Sequence, residues 1–177
     1  MRIEQWLVDS VQKFGAKTAL VTPQRRLTYS EFNDASTRLA AALAGHGVKR
    51  GDRVLVFMDN CWEAAVSIFA ILKAGATFSP INSSTKADKL AYVIGNCRAT
   101  AILTTGKLMP VVEEARHELD SPLTLLRQRS NPAPFPLVSS LSRIASPTHP
   151  RRFATRASTS ISRCSSTPPA RQGGRRA

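Results

Sequence analysis

The composition of this chain changes abruptly near residue 120, and this change limits which part can form a packed core. Residues 1–120 hold all twelve Asp and Glu residues, together with seven Lys and eight Arg. Residues 121–177 hold ten Arg, eleven Ser and eight Pro, with no acid and no Lys. The second part has too few apolar residues for a core and too many prolines for a sheet. We predict a folded region over 1–120 and a disordered Arg/Ser/Pro-rich tail over 121–177.

Residues 1–120 have the alternating pattern of an α/β protein. Ile3, Leu7, Val11 and Phe14 recur at helical spacing, which predicts an amphipathic helix that ends at Gly15. A hairpin is predicted over 19–29, followed by a helix that begins with a Thr28/Glu31 capping box. Strands are predicted over 53–58, 77–80 and 100–105. Helices are predicted over 61–74, capped by Asn60, over 86–95, capped by Thr85, and from about Pro110. Alternating strands and helices predict a partial doubly wound, mostly parallel sheet with flanking helices.

Two glycine-containing segments match phosphate-binding motifs only in part. Gly45-His-Gly-Val-Lys-Arg50 lacks the third glycine of a dinucleotide fingerprint and follows a helix, so it predicts a helix stop and a turn. Thr104-Thr-Gly-Lys107 has Ala101 where a Walker loop needs its first glycine, and Leu108 where it needs a hydroxyl for magnesium. We interpret this second segment as a turn at the end of a strand.

The remaining candidate residues also lack a pattern that indicates catalysis or metal binding. The three histidines, His46, His117 and His149, have no triad or metal-ligand neighbours, and the three cysteines, Cys61, Cys97 and Cys164, have no CxxC spacing. Glu113 and Glu114 with Arg116 fit an exposed helix face. The glycosylation sequon at Asn82 has no secretory context. We therefore assign no catalytic, cofactor-binding or metal-binding residue. The N-terminus shows no signal peptide, and the apolar run over 64–72 is too short for a membrane span, so we expect a cytoplasmic protein.

Several motifs in order resemble the N-terminal portion of AMP-forming acyl-CoA synthetases, within the adenylate-forming superfamily of AMP-dependent synthetases and ligases. They are Leu27-Thr-Tyr-Ser-Glu31, Gly47-Val-Lys-Arg-Gly-Asp-Arg-Val54, Asn60, Ile71-Leu-Lys-Ala-Gly-Ala76 with Pro80, and Asn82-Ser-Ser-Thr-Lys-Ala-Asp-Lys-Leu90. The resemblance covers residues 1 to about 120. It implies that 1–120 is a fragment of the large AMP-binding domain.

The resemblance also implies a two-step reaction that uses ATP, Mg²⁺ and coenzyme A. A carboxylic acid and ATP give an acyl-adenylate, and the thiol of coenzyme A then displaces AMP. The family places its phosphate loop, its ribose-binding acid and its catalytic lysine in later segments, and none of them is encoded as such here. We therefore expect a truncated, inactive fragment that binds no cofactor itself, and the identity of the acid cannot be deduced.

Three hypotheses account for residues 121–177: a basic arm that binds nucleic acid on an α/β scaffold, a disordered linker, or translation in a shifted reading frame. The third can be examined on paper. With suitable synonymous codons, the shifted frame of residues 164–177 reads Leu-Ile-Tyr-Thr-Ser-Gly-Ser-Thr-Gly-Arg-Pro-Lys-Gly, the phosphate-loop signature of adenylate-forming enzymes. A tail with Arg but no Lys and few aromatic residues weakens the nucleic-acid hypothesis, so we favour a frameshift and expect no specific nucleic-acid partner.

Overall fold

The computed structural model describes residues 2–119, 123–128 and 139–141, and these residues form two sheets and the helices around them. The helices are α1 (Ile3–Phe14), α2 (Tyr29–Gly45), α3 (Trp62–Lys73), α4 (Ala87–Asn96) and α5 (Met109–His117), the last preceded by a 3-10 turn at Gly106–Leu108. The strands are β1 (Thr18–Val21), β2 (Arg26–Thr28), β3 (Arg53–Phe57), β4 (Thr77–Ile81), β5 (Ala101–Thr105), β6 (Thr124–Gln128) and β7 (Ser139–Leu141).

The larger sheet has the strand order β4-β3-β5-β6-β7. Its first four strands are parallel, and β7 pairs antiparallel with β6. Strands β1 and β2 form the separate hairpin that the sequence predicts. The predicted α/β class, with a mostly parallel sheet and flanking helices, is confirmed.

The helices lie on two opposite faces of the larger sheet, as a doubly wound fold requires. On the first face, α1, α2 and α3 share a core with Leu103 and Leu126. On the second face, α4 and α5 share a core with Ile102 and Leu125. The face changes because the chain moves one way along the sheet from β3 to β4 and the other way from β4 to β5 and on to β6.

Helix starts follow the sequence prediction at α2 but not at α3 and α4. At α2, the backbone N–H of Glu31 donates to Thr28 Oγ1 at 3.2 Å, and the backbone N–H of Thr28 donates to Glu31 Oε2 at 2.9 Å. This is the predicted capping box. The predicted caps Asn60 and Thr85 are wrong, because the helices begin one residue later, behind Cys61 and Lys86, with no side-chain cap bond.

Helix α1 has the predicted bounds, but its apolar stripe is only partly buried. Leu7 is 5% exposed, whereas Ile3 is 54% and Phe14 is 44% exposed. The helix packs against α2 and α3, so only its centre reaches the core of the first face. The helix ends where the chain passes closely under α2: a Cβ on Gly15 would lie 2.7 Å from the hydroxyl oxygen of Ser30.

The larger sheet continues past the boundary that we predicted at residue 120. Strand β6 runs parallel to β5 over five residues, with Leu125 and Leu126 fully buried, and Leu123 just before it is also buried. The predicted boundary is therefore too early, because residues 123–128 and 139–141 belong to the sheet. The other residues of the predicted tail lie outside the described residues, so disorder there stays a prediction. None of the described helices has the length and apolarity needed to cross a membrane.

Candidate functional site

The carboxyl ends of β3 and β5 form the topological switch point of the larger sheet. From β3 the chain first adds β4 on one side and later adds β5 on the other, so the loops after β3 and β5 diverge there. Open α/β sheets bind their ligands in the crevice that such diverging loops leave. The polar side chains at this edge are therefore the first candidates for a functional site.

Three residues from three different loops meet at this edge, and we call them the carboxyl-edge cluster: Asp59, Ser83 and Lys107. Lys107 Nζ lies 2.9 Å from Asp59 Oδ2, and their side chains are 76% and 48% exposed. The hydroxyl of Ser83 donates a hydrogen bond to the Asp59 carboxylate, and this bond, followed by Lys107, lowers the pKa of Asp59 below its ordinary value. The cluster thus consists of an exposed ion pair, Asp59 with Lys107, and the Ser83 hydroxyl beside it.

The loop that carries Ser83 is shaped by its neighbour Asn82. Asn82 Oδ1 accepts from the Ser84 backbone N–H at 3.0 Å and from the Ser84 hydroxyl at 2.9 Å. A side-chain oxygen that binds the backbone two residues on is an Asx turn, which closes the loop after β4. The sequon residues at 82–84 therefore have a structural role in placing Ser83 beside Asp59.

The start of α3 adjoins the cluster and is covered by the β1–β2 hairpin. The Arg25 guanidinium from the hairpin turn lies 5.1 Å from the ring centre of Trp62, a cation–π contact. Burial raises the pKa of the Cys61 thiol to about 11. The thiol is consequently protonated at neutral pH and is not an activated nucleophile.

In chemical terms, the carboxyl-edge cluster suits binding better than catalysis. The lowered pKa of Asp59 makes its carboxylate a weak general base. Lys107 is a largely exposed ammonium, which can bind an anionic group but has no feature that would activate it as a nucleophile. No group of three or more His, Cys, Asp or Glu side chains in the described part of the chain could hold a metal ion. These residues do not fit the Mg²⁺ that the resemblance implies.

Both phosphate-motif interpretations from the sequence are confirmed as turns. Helix α2 ends at Gly45 with His46 as its C-cap, and Gly47 then takes a positive φ of 86°. Thr104 and Thr105 end β5, and Gly106–Leu108 forms the 3-10 turn. Sequence reasoning missed the contact between Lys107 and Asp59, because the two residues are 48 positions apart and share no local motif.

The other residues considered in the sequence are not brought together. His46 caps α2 and His117 ends α5. Cys97 is a free cysteine whose thiol donates to the carbonyl of Val93 at 2.7 Å. Arg116 lies 3.4 Å from Glu113, the ordinary helix-face pairing that we expected. His149 and Cys164 lie outside the described residues.

Comparison with known proteins assigns the family. The family model described as "AMP-binding enzyme" matches residues 7–158. The chain belongs to the AMP-binding enzyme family. This match confirms the resemblance drawn from the motifs above, and it extends past residue 120, as the larger sheet does.

Known members show which part of the family this chain represents. A crotonobetaine/carnitine–CoA ligase of Proteus mirabilis (strain HI4320) is 32% identical over 129 residues, which are 70% of this chain and 25% of the relative. The crystal structure of an anthranilate CoA ligase in complex with anthranoyl-AMP matches with a TM-score of 0.66 and 27% identity, over 71% of this chain and 25% of that one. A benzoate CoA ligase from Burkholderia xenovorans LB400 shares the fold, with a TM-score of 0.68. The chain thus spans about a quarter of these AMP-binding enzymes.

Proposed function

We propose that this chain is the N-terminal portion of an ATP-dependent ligase that joins a carboxylic acid to coenzyme A through an acyl-adenylate. The observation that carries the proposal is the family match over residues 7–158, with coenzyme A ligases among the relatives. The chain contributes the doubly wound sheet and its carboxyl edge. Because it spans about a quarter of the relatives, the acid and the reaction of the whole protein are part of the proposal.

A second part of the proposal is that the chain, as translated, forms no acyl-adenylate. Support comes from residues 164–177, where the shifted frame would encode a phosphate loop. Such loops hold phosphates with backbone N–H groups, hydroxyls and a lysine. The translated residues include Pro168 and Pro169, which have no N–H to donate, and no lysine follows Lys107.

A shift of reading frame after β6 would explain this difference. Strand β6 is in register with β5 and buries Leu125 and Leu126 on opposite faces, so the translated frame agrees with the fold through Gln128. The gene sequence tests the proposal directly. We expect codons of 164–177 that encode the phosphate loop in another frame, and codons that cannot be read this way contradict the frameshift.

Three proteins test the proposed activity: the translated chain, the full product of the corrected frame, and that product with its phosphate loop replaced by translated residues 164–177. Acid-dependent exchange of pyrophosphate into ATP reports adenylate formation across a panel of carboxylic acids. We expect exchange with the second protein alone, and coenzyme A should then yield a thioester. Exchange by the translated chain at a comparable rate would contradict the proposed inactivity, and no exchange by the corrected product with any acid would contradict the ligase.

A further inference from the structure

Two buried polar atoms on the second face of the larger sheet have no hydrogen-bond partner. Among the described residues, the buried side-chain nitrogen and oxygen atoms without a hydrogen-bond partner are Thr104 Oγ1 and Arg127 Nε. Buried polar groups in folded proteins are nearly always paired, so each exception calls for an explanation. Here the two exceptions are neighbours.

Their placement follows from the register of the parallel strands. Thr104 on β5 is paired with Arg127 on β6, and paired residues of neighbouring strands project to the same face. Ile102 and Leu125 face the α4/α5 core, so by alternation Thr104 and Arg127 lie on that face too, one row nearer the carboxyl ends. This row adjoins the turn that carries Lys107.

The charge of Arg127 has no acidic partner among the residues that the structure describes. Arg127 forms no ion pair with any carboxylate in the described part of the chain, although its side chain is partly buried. Asp59, at the same edge of the sheet, is already bound by Lys107 and Ser83. A partly buried guanidinium beside an unpaired hydroxyl therefore leaves a local excess of donors and positive charge.

We propose that Thr104 and Arg127 form a binding site for a single oxyanion group, a phosphate or a carboxylate, at the carboxyl edge between β5 and β6. A guanidinium binds an oxyanion through two parallel N–H donors, of which Nε is one, and the Thr104 hydroxyl adds a third donor. This proposal does not depend on the proposed ligase activity, because it rests on two unpaired atoms and their register.

The covered position of both atoms has a consequence for how the anion arrives. Neither Thr104 Oγ1 nor Arg127 Nε touches solvent, whereas the Arg127 side chain as a whole is partly exposed. The Arg127 side chain must therefore move aside around its torsions to admit the anion beside the buried Thr104 hydroxyl. Rotamer changes of a partly exposed side chain are fast, so binding should follow the anion concentration without a slow phase.

Titration of the full chain by NMR tests the site, with inorganic phosphate and acetate as separate probes and sodium chloride at matched ionic strength as the control. We expect saturable shifts of the Thr104 and Gly106 amides and of the Arg127 Nε–H with at least one probe. The probe that binds tells whether a phosphate or a carboxylate is preferred. Absence of saturable shifts with both probes would overturn the proposal.

Three variants identify the groups responsible. Arg127→Gln and Thr104→Val should each weaken anion binding at least about tenfold. Arg127→Lys should also weaken it, because lysine keeps the charge but lacks the two parallel N–H donors of the guanidinium. Arg26→Gln removes one charge from an exposed residue of β2 and should leave the Kd unchanged. Equal weakening by Arg26→Gln would show a general charge effect and would overturn the site. A direct hydrogen bond from Arg127 Nε–H to Thr104 Oγ1 that persists in the presence of phosphate or acetate would show that the two groups pair with each other, and it would also overturn the site.

Discussion

The two faces of the larger sheet differ in how far their polar side chains are hydrogen-bonded. On the first face, Lys73 Nζ on α3 meets four oxygens of α2: the Asn33 carbonyl at 3.0 Å, Asn33 Oδ1 at 2.7 Å, Ser36 Oγ at 2.8 Å and Thr37 Oγ1 at 2.8 Å. On the second face, Thr104 Oγ1 and Arg127 Nε have no partner. The first face thus joins α2 and α3 through several polar bonds. The second face has the bond from Arg53 Nη1 to the Cys97 carbonyl at 2.8 Å, and it also holds these two unpaired buried atoms.

This difference separates stability from binding within one sheet. Paired polar groups such as Lys73 stabilise the fold, because each acceptor keeps a donor when water is removed. Unpaired groups reduce stability and are common where a protein must meet a ligand. The carboxyl edge on the second face is therefore where we expect the fold to be least optimised for stability.

The largest expected effect on stability comes from truncating the buried leucines of β6, one on each face of the sheet. Leu125→Ala and Leu126→Ala are adjacent, fully buried and chemically identical changes, but they open cavities on opposite faces. Each should lower the free energy of unfolding by about 2–5 kcal/mol, measured by urea denaturation. If both cost less than about 0.5 kcal/mol, typical of a surface change, β6 would not be part of the folded sheet.

The Lys73 contact is the next test, and it concerns the first face. Lys73→Met keeps the apolar stem but leaves the four α2 oxygens without this donor, so we expect a loss of about 2–3 kcal/mol. Lys107→Met is the matched control, because its ion pair is exposed to solvent and should contribute much less to stability. Equal losses in urea denaturation would remove the contrast between a half-buried contact and an exposed one.

The capping box of α2 gives a smaller effect that also depends on pH. Thr28→Ala should cost about 1 kcal/mol. The bond from the Thr28 backbone lowers the pKa of Glu31 below 4.5, so its stabilisation is present above that pH and disappears as the pH falls through the lowered pKa. Glu31→Gln should therefore reduce the acid-side slope of stability against pH, and an unchanged slope would show that the box does not hold in solution.

The smallest effect has the opposite sign and distinguishes the second face from the first. Thr104→Val removes an unpaired buried hydroxyl with little change in shape, so we expect a gain of up to about 1 kcal/mol. Ser36→Ala, which removes a paired hydroxyl from the first face, should instead destabilise. Thermal unfolding of both variants checks the signs, and a loss in Thr104→Val would mean that its hydroxyl is paired in solution.

Much of the fold follows from local patterns in the sequence. The order of helices and strands from α1 to α5, the hairpin, and the Thr28/Glu31 box were all predicted, because each depends on residues within one turn or one strand. The start of α3 was placed one residue early because Asn60 is a good cap in isolation. In the folded chain, Trp62 is buried as the first residue of α3, and Cys61 stands at the N-cap position without a side-chain bond.

The features that the sequence did not reveal depend on distant residues. Strand β6 lies in an Arg- and Pro-rich context, and Leu125 and Leu126 become recognisable as core residues only when β5 is beside them. The contact of Lys107 with Asp59 and the unpaired Thr104 likewise arise from strand order. No window along the chain contains that information.

The interior position of β3, between β4 and β5, has a consequence for the chain while it is being synthesised. Both neighbours of β3 in the sheet, β4 and β5, come later in the sequence, so Arg53–Phe57 has no strand to pair with until Thr77–Ile81 has emerged. At synthesis rates of roughly 5–20 residues per second, that interval lasts on the order of seconds. Helix α2 precedes β3 and can cover one face of that strand. The backbone N–H and C=O groups of β3 nevertheless remain unpaired during this interval. A strand that is paired on both sides in the finished sheet is thus exposed to wrong pairing on both sides while the chain is produced.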